Sequence, residues 1–447
     1  MSELDQAIRR YAASPVPRYT SYPTAAEFGG DVDASDYGDW LRAIDASAPV
    51  SAYIHIPYCR DLCFYCGCHA KALRRDDVLQ TYMRALVREI ETVSSHLKAQ
   101  VRIGNLHWGG GTPGILGEEG LETVLHALRR SFAIDANVSH AIELDPRHVT
   151  ASFAKALKRL GVNRASLGVQ DVDATVQAAI GRIQPIETVR AAVDHLRAAG
   201  IGSINFDLIY GLPRQSSLSL KETCRAVAAL MPDRIACYGY AHMPSRRANQ
   251  KRIDGAMLPS ASERIEQAAT AAEELRALGF QPVGIDHFAR QDDPLAMAAA
   301  EGRLRRNFQG YTDDDSRTLL GFGCSAISRL PDGYVQNETD APRYGTTAAA
   351  GDLATVRGCR MTGDDWTRAR IIEALMCNFR VDLAAMGIAD QFQDELALLR
   401  PMVNEGVLTI SNGVIAMTAS GRTVVRVAAS MFDAHRWTTH GQFSAAV

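Results

Sequence analysis

The stretch SAYIHIPYCRDLCFYCGCHA, residues 51–70, decides the fold. It opens on an apolar, β-rich run, SAYIHIP, and the turn that follows carries Cys59, Cys63, Cys66 and Cys68 within ten positions. A strand running into a loop loaded with metal-ligating side chains reads as the start of a β/α unit. Chemistry in such units gathers at the carboxyl ends of the strands. Further β-rich runs follow at 101–109, 139–146, 163–170, 202–213 and 233–242. Amphipathic stretches separate them at 78–97, 119–132, 152–161 and 187–200. In the last of these Val189, Val193 and Leu196 recur at helical spacing, and Gly200 is a helix stop. Six strands alternating with helices predict a parallel sheet. A closed eight-unit barrel uses about 250 residues, so six units over 51–290 predict an α/β fold with an open, partial β/α barrel. An open doubly wound sheet is the competing topology.

Outward from that core the chain has 447 residues, enough for two or three domains at about 150 residues each. Residues 1–50 read as an irregular arm, with the proline-broken PVPRYTSYPT, followed by a short helix. Residues 291–360 read as a less regular extension of the barrel, next to the substrate site. Residues 361–447 read as a small, mainly helical domain, with helices at 368–380, 390–404 and 419–433. A hairpin at 407–418 turns at Ser411-Asn412-Gly413. Charge is balanced, 48 basic against 51 acidic residues for a net −3, which argues against bulk attraction to nucleic acid or membrane. The arginines of 361–447 are interspersed with acids and form no basic stripe, so a nucleic-acid partner is not expected. No run approaches 18 apolar residues and no apolar secretory segment opens the chain, so no membrane span and a cytoplasmic location are expected.

Nine cysteines without an export signal argue against a disulfide framework and for metal or redox work. Cys59, Cys63 and Cys66 form C-x3-C-x2-C, and three thiolates on one tight loop can hold three irons of a four-iron cluster. The fourth iron would lack a protein ligand and could take a small molecule. Three other readings compete. A thioredoxin-like dithiol at Cys63 and Cys66 leaves Cys59 unused. A zinc site lacks a second ligand pair further along the chain. Inert buried thiols rarely cluster four to a loop. Cys68 is too close to Cys66 for an easy place in the same cubane and is read as structural or close to substrate. Cys224, Cys237, Cys324 and Cys377 sit in apolar surroundings and read as core. The second motif, HWGGGTP at 107–113, lets backbone approach a ligand closely but is neither a dinucleotide fingerprint nor a Walker A loop.

C-x3-C-x2-C after one strand and Gly-Gly-Gly-Thr-Pro after the next resemble the radical S-adenosylmethionine (SAM) superfamily. The ordered motifs PRYTSYPT (17–24), HIPYC (55–59), CGC (66–68), HWGGGTP, IELDPR (142–147), LGVQD (167–171), NFDLIYGLP (205–213), DHFAR (286–290) and RNFQGYT (306–312) narrow the resemblance. Together they resemble the oxygen-independent coproporphyrinogen III oxidases, over about residues 17–440. The resemblance implies oxidative decarboxylation of two propionates of coproporphyrinogen III to vinyl groups, giving protoporphyrinogen IX. It implies a [4Fe-4S] cluster on Cys59, Cys63 and Cys66 and two SAM molecules, with a deoxyadenosyl radical removing a propionate hydrogen. One SAM would be contacted by Tyr53, Gly110, Glu143 and Ile327. The other would be contacted by Tyr65, Gly111, Thr112, Gln170, Arg182, Asp207 and Ala241. No catalytic residue beyond these cofactor contacts is implied. An electron donor and an electron acceptor are implied but not identified by the motifs, and a monomer is expected.

Tyr65 stands where the family pattern has Phe, and His69 where it has a small polar residue such as Asn. A haem chaperone built on the same core is the alternative function; it resembles the barrel but lacks the arm at 17–24 and RNFQGYT. Because the substrate bears four propionates, Arg18, Arg290, Arg305 and Arg306 are candidates for binding them. For Arg182 the competing reading is a surface salt bridge, and for Asp207 a helix N-cap.

Overall fold

A computed structural model describes residues 2–436, 443, 445 and 446. The β/α alternation becomes a single twelve-stranded sheet. Six strands run parallel and in chain order: β1 (Val50–Ile56), β2 (Arg102–Gly110), β3 (Ala133–Leu144), β4 (Arg164–Gln170), β5 (Ser203–Tyr210) and β6 (Arg234–Gly239). Beyond β6 lie β7 (Gln281–Val283) and β8 (His287–Ala289), both in antiparallel pairings, with β8 innermost. On the other flank β9 (Leu319–Phe322) pairs parallel with β1. Beyond it β10 (Ile327–Leu330), β11 (Gly333–Asn337) and β12 (Thr355–Arg360) follow antiparallel. β12 and β7 stand at opposite ends of the order and do not pair, so the barrel is open, as the count of units predicts. β9 is a seventh parallel strand that the sequence reading leaves inside an irregular segment.

Side-chain alternation along the strands makes the two faces differ. In β5, Ile204, Phe206 and Leu208 are buried in the main hydrophobic core, while Asn205 and Asp207 line a cavity on the other face. β4 repeats the pattern, with Ala165, Leu167 and Val169 in the core and Ser166, Gly168 and Gln170 on the cavity. The covering helices each bury one stripe. In Ile186–Ala198 the stripe is Val189, Ala192, Val193 and Leu196, and Gly200 follows at φ +86° as the left-handed stop.

The N-terminal segment is not simply irregular. Glu3–Ala12 is a helix, because Ser2 and Asp5 close a capping box on its first turn. Tyr19 and Tyr22 of the arm are buried against the C-terminal module, where Tyr19 donates to Asp433 Oδ2 (2.9 Å) and Tyr22 Oη accepts from Ala434 N (3.1 Å). That module holds helices Gly363–Asn378 and Gln393–Asn404 and the hairpin Leu408–Ser411/Val414–Met417. Asn412 and Gly413 turn the hairpin, both at positive φ. The final helix over 419–433 is corrected to three short turns, Ser420–Val424, Val425–Ala429 and Ser430–Phe432. Among the described residues no helix is long and apolar enough to cross a membrane.

Candidate active site

The cavity between the curled strands has a volume of about 900 Å³. All four cysteines of the 59–68 loop line it, together with Gly110, Gly111 and Thr112 at the end of β2. The loop is fixed from outside. Asn249 Nδ2 lies within donating distance of three of its carbonyls, those of Cys63 (3.0 Å), Phe64 (3.1 Å) and Cys66 (2.9 Å). Gln250 Nε2 donates to the Tyr65 carbonyl (2.8 Å) and Phe64 N to the Ile180 carbonyl (3.0 Å). The Arg252 guanidinium covers the Phe64 ring at 3.7 Å. Burial pushes the Cys59 thiol up to about 11, whereas a hydrogen bond from Cys68 brings Cys66 down to about 7.

Asn249 therefore organises the backbone of the cysteine loop. Asn249→Ala removes these bonds, a net loss of about 1–3 kcal/mol. With an iron-sulfur cluster on the loop, as the resemblance implies, its expected result is a cluster that reconstitutes incompletely and bleaches in air about tenfold faster, the low end of what lost supporting contacts cost a metal site. Iron content and the bleaching rate at 400 nm check this, and wild-type values for both would remove the role.

The glycine run meets the loop without spare room. Gly111 N donates to the Ile56 carbonyl (2.8 Å), Thr112 N to the Tyr58 carbonyl (2.9 Å), and Thr112 Oγ1 reaches Cys59 Sγ (3.4 Å). Glu143 accepts from Gly110 N (3.2 Å) and pairs with His107 Nε2 (3.1 Å). Burial alone would raise its carboxyl, but His107 and the Gly110 N–H outweigh that and hold it low. Asp207 behaves oppositely. Burial and the neighbouring Glu143 push it up to about 6, although Ser166 Oγ (2.8 Å) and Asn205 Nδ2 (2.9 Å) donate to it. Two carboxyls on one wall thus differ in charge near pH 5.

Of the residues singled out from sequence, Tyr65, Gly110, Gly111, Thr112, Glu143, Gln170, Arg182, Asp207 and Ala241 all line the cavity with Cys59, Cys63 and Cys66. Tyr53 and Ile327 do not. Tyr53 is half-buried on β1, stacked on His107 at 5.8 Å with its hydroxyl 3.2 Å from His55 Nδ1. Ile327 packs against the cluster of Phe28, Tyr334 and Met361. Arg182 is no surface residue: it is buried, pairs with Asp145 (3.2 Å), and donates to the Gly168 carbonyl (2.8 Å) and towards Cys63 Sγ (3.4 Å). Asp207 caps no helix but sits inside β5. Gln170 holds φ +71° at a register shift between β4 and β5, which turns the end of β4 into the cavity. Arg18 and Arg306 reach the cavity. Arg290 and Arg305 do not: Arg290 Nε donates to the Pro232 carbonyl (3.0 Å), and Arg305 pairs with Glu373 (2.9 Å). No sequence pattern singles out Asn249, Gln250, Arg264 or Arg426 as part of this site.

Residues 53–227 match the radical SAM superfamily. An oxygen-independent coproporphyrinogen III oxidase of Bradyrhizobium diazoefficiens is 44% identical, over 95% of this chain and 96% of the relative. The chain belongs to the oxygen-independent coproporphyrinogen III oxidases. One of Cereibacter sphaeroides is 43% identical, over 94% of both chains. The solved structure of the Escherichia coli coproporphyrinogen III oxidase, described as a radical SAM enzyme, superposes with a TM-score of 0.89 at 37% identity, covering 94% of this chain and 100% of that one.

Membership of the radical SAM superfamily implies a [4Fe-4S] cluster and SAM, and the residues present suit both. Three thiols from one loop share the cavity wall, the donor type such clusters use. Among the described residues no three His, Cys, Asp or Glu side chains converge on one ion. Beside them a glycine run exposes backbone where any Cβ would collide, and Arg182 Nε is buried with no partner.

Proposed function

We propose that this oxygen-independent coproporphyrinogen III oxidase decarboxylates two propionates of coproporphyrinogen III to vinyl groups, giving protoporphyrinogen IX in haem biosynthesis. The observation that carries the reading is one cavity lined by the cysteine loop, the glycine run and arginines that reach it from the arm and from 305–312. A tetra-anionic macrocycle needs both a radical-generating end and a basic end. Cys59, Cys63 and Cys66 would hold the cluster. Gly110 and Glu143, with Tyr53 and Ile327, are proposed for one SAM; Tyr65, Gly111, Thr112, Gln170, Arg182, Asp207 and Ala241 for a second. Bound there, cluster and SAM supply the one-electron chemistry by which a propionate loses a hydrogen atom, carbon dioxide and one electron, the electron passing to an acceptor.

The chain's own residues bind and orient. Glu143, kept ionised by His107, suits an ammonium group or ribose hydroxyls. Arg182, tethered to Asp145 and the Gly168 carbonyl, keeps one donor for a carboxylate. Asp207, with its raised pKa, can donate as well as accept near pH 5. The reading also takes the protein as a cytoplasmic monomer, and nine free cysteines, four of them on the cluster loop, support a reducing compartment.

Anaerobic reconstitution with iron and sulfide, followed by reduction and addition of SAM and coproporphyrinogen III, tests the proposal. Protoporphyrinogen IX, carbon dioxide and two SAM cleaved per macrocycle are expected. SAM cleavage without loss of carbon dioxide, or stable haem binding without decarboxylation, would overturn it.

A further inference from the structure

Two sets of arginines stand out on the cavity wall. Those close to the cysteine loop or to an acid are neutralised: Arg182 by Asp145 (3.2 Å) and Arg234 by Asp293 (2.7 Å). A second set has no carboxylate. Arg306 lies over the Tyr311 ring at 4.3 Å, its Nε and Nη1 are buried without a hydrogen-bond partner, and its side chain makes no ion pair among the described residues. Arg264 donates Nη2 to the Tyr240 carbonyl (3.0 Å) and keeps a buried, unpartnered Nε. Arg18 donates Nη2 to the Gly239 carbonyl (3.0 Å). It is carried into place by the arm, whose Val16 and Pro17 carbonyls accept from Arg426 (2.7 and 3.1 Å). Asp286 is the acid whose field Arg306 and Arg18 feel, and it is already bonded to His287 Nδ1 (2.7 Å). Cations from four separate segments therefore converge on one region of the cavity with fewer charges facing them than their number requires. Buried guanidinium donors without acceptors are rare in a native structure and mark where a planar, two-oxygen anion belongs.

We infer that Arg306 and Arg264, with Arg18 supplied by the arm, form a carboxylate cradle that seats a non-reacting propionate of the tetrapyrrole. The inference rests on the proposed substrate and adds which groups fix its orientation. Arg306 is the central member, because its fork is the least committed to the protein. Arg426 is a positioning residue, since it acts by holding the arm that delivers Arg18.

The test uses the cluster-loaded full chain under anaerobic conditions, with coproporphyrin III and its tetramethyl ester as probes in fluorescence titrations. Wild type is expected to bind the free acid at least about tenfold more tightly than the ester. Arg306→Gln should weaken the acid about tenfold or more and leave the ester unchanged, and Arg306→Lys should recover part of the loss. Arg264→Gln should act in the same direction. Iron content and cluster absorbance, read on every variant, should match wild type. Free-acid affinity unchanged in both glutamine variants, or equal losses for acid and ester, overturns the cradle. Should Arg306→Gln fail to load its cluster, Arg306→Lys and Arg264→Gln carry the same comparison. Wild-type turnover of coproporphyrinogen III separates the two failures. Turnover with unchanged variant affinities removes the cradle alone, and a cluster-loaded wild type without turnover removes the functional reading and the cradle with it.

Discussion

Alanine at any one of Cys59, Cys63 or Cys66 is expected to leave a folded protein that retains little iron and cleaves no SAM. Supporting contacts around a metal site already cost 10- to 100-fold when lost, so losing a direct ligand should cost more than about 100-fold in activity. The loop itself should survive the change, because its backbone is held from other segments. Asn249 and Gln250 take four of its carbonyls, and the Ile180 carbonyl takes Phe64 N. The thermal midpoint of the metal-free variants is therefore expected to match metal-free wild type, which makes the loss one of ligand and not of fold. Cys68→Ala is the internal control. Cys68 lines the same cavity and donates to Cys66, but it stands only two positions from it and is read as no ligand. Its alanine variant should keep its iron. Iron and sulfide analysis with the visible spectrum decides the matter, and three alanine variants that each assemble an intact cluster would remove the proposed ligand set.

What could be read from sequence follows the range of the forces involved. The cysteine loop, the glycine run and the helix over 186–198 are local patterns, and each lies where expected. β9 is not legible in the sequence because Leu-Leu-Gly-Phe is four residues long and becomes a strand through its pairing with Ser51–Ile54. Asn249 acts on carbonyls more than 180 residues away in the chain, and nothing periodic surrounds it. Arg305 and Arg306 show the limit most directly. They are neighbours in a short strand, so they face opposite sides; only the hairpin pairing says that Arg306 looks inward while Arg305 meets Glu373. One signal for the cavity wall is present in the sequence. Ser166, Gly168 and Gln170, then Asn205 and Asp207, put polar residues at every second position of strands that a doubly covered parallel sheet would fill with apolar ones. That alternation marks an inner face that borders a polar cavity.

Gly111→Ala is expected to damage the site through a single added methyl group. A Cβ there would stand 2.5 Å from the Tyr58 carbonyl oxygen, 2.8 Å from its carbon and 2.9 Å from Tyr58 N, all backbone atoms that cannot swing aside. The residue's φ is not in the left-handed region, so the conflict is one of space alone. Relief requires the end of β2 to part from the cysteine loop. That movement breaks Gly111 N to Ile56 O and Thr112 N to Tyr58 O and carries Thr112 Oγ1 away from Cys59 Sγ. Overpacking of this kind costs about 1–3 kcal/mol of stability. The effect on SAM should be larger, because backbone proposed to contact it moves together with the loop; a 1 Å misplacement can cost about 100-fold. Gly67 provides the contrast. It lies between Cys66 and Cys68 in a motif that looks equally constrained, yet a Cβ built there meets nothing within 4 Å, so Gly67→Ala should bind iron and SAM nearly as wild type does. Equilibrium SAM binding to both cluster-loaded variants, with thermal unfolding alongside, measures the difference. A Gly111→Ala protein with wild-type SAM affinity and midpoint would mean that the glycine run does not touch the cofactor and that the strand end has slack the geometry denies.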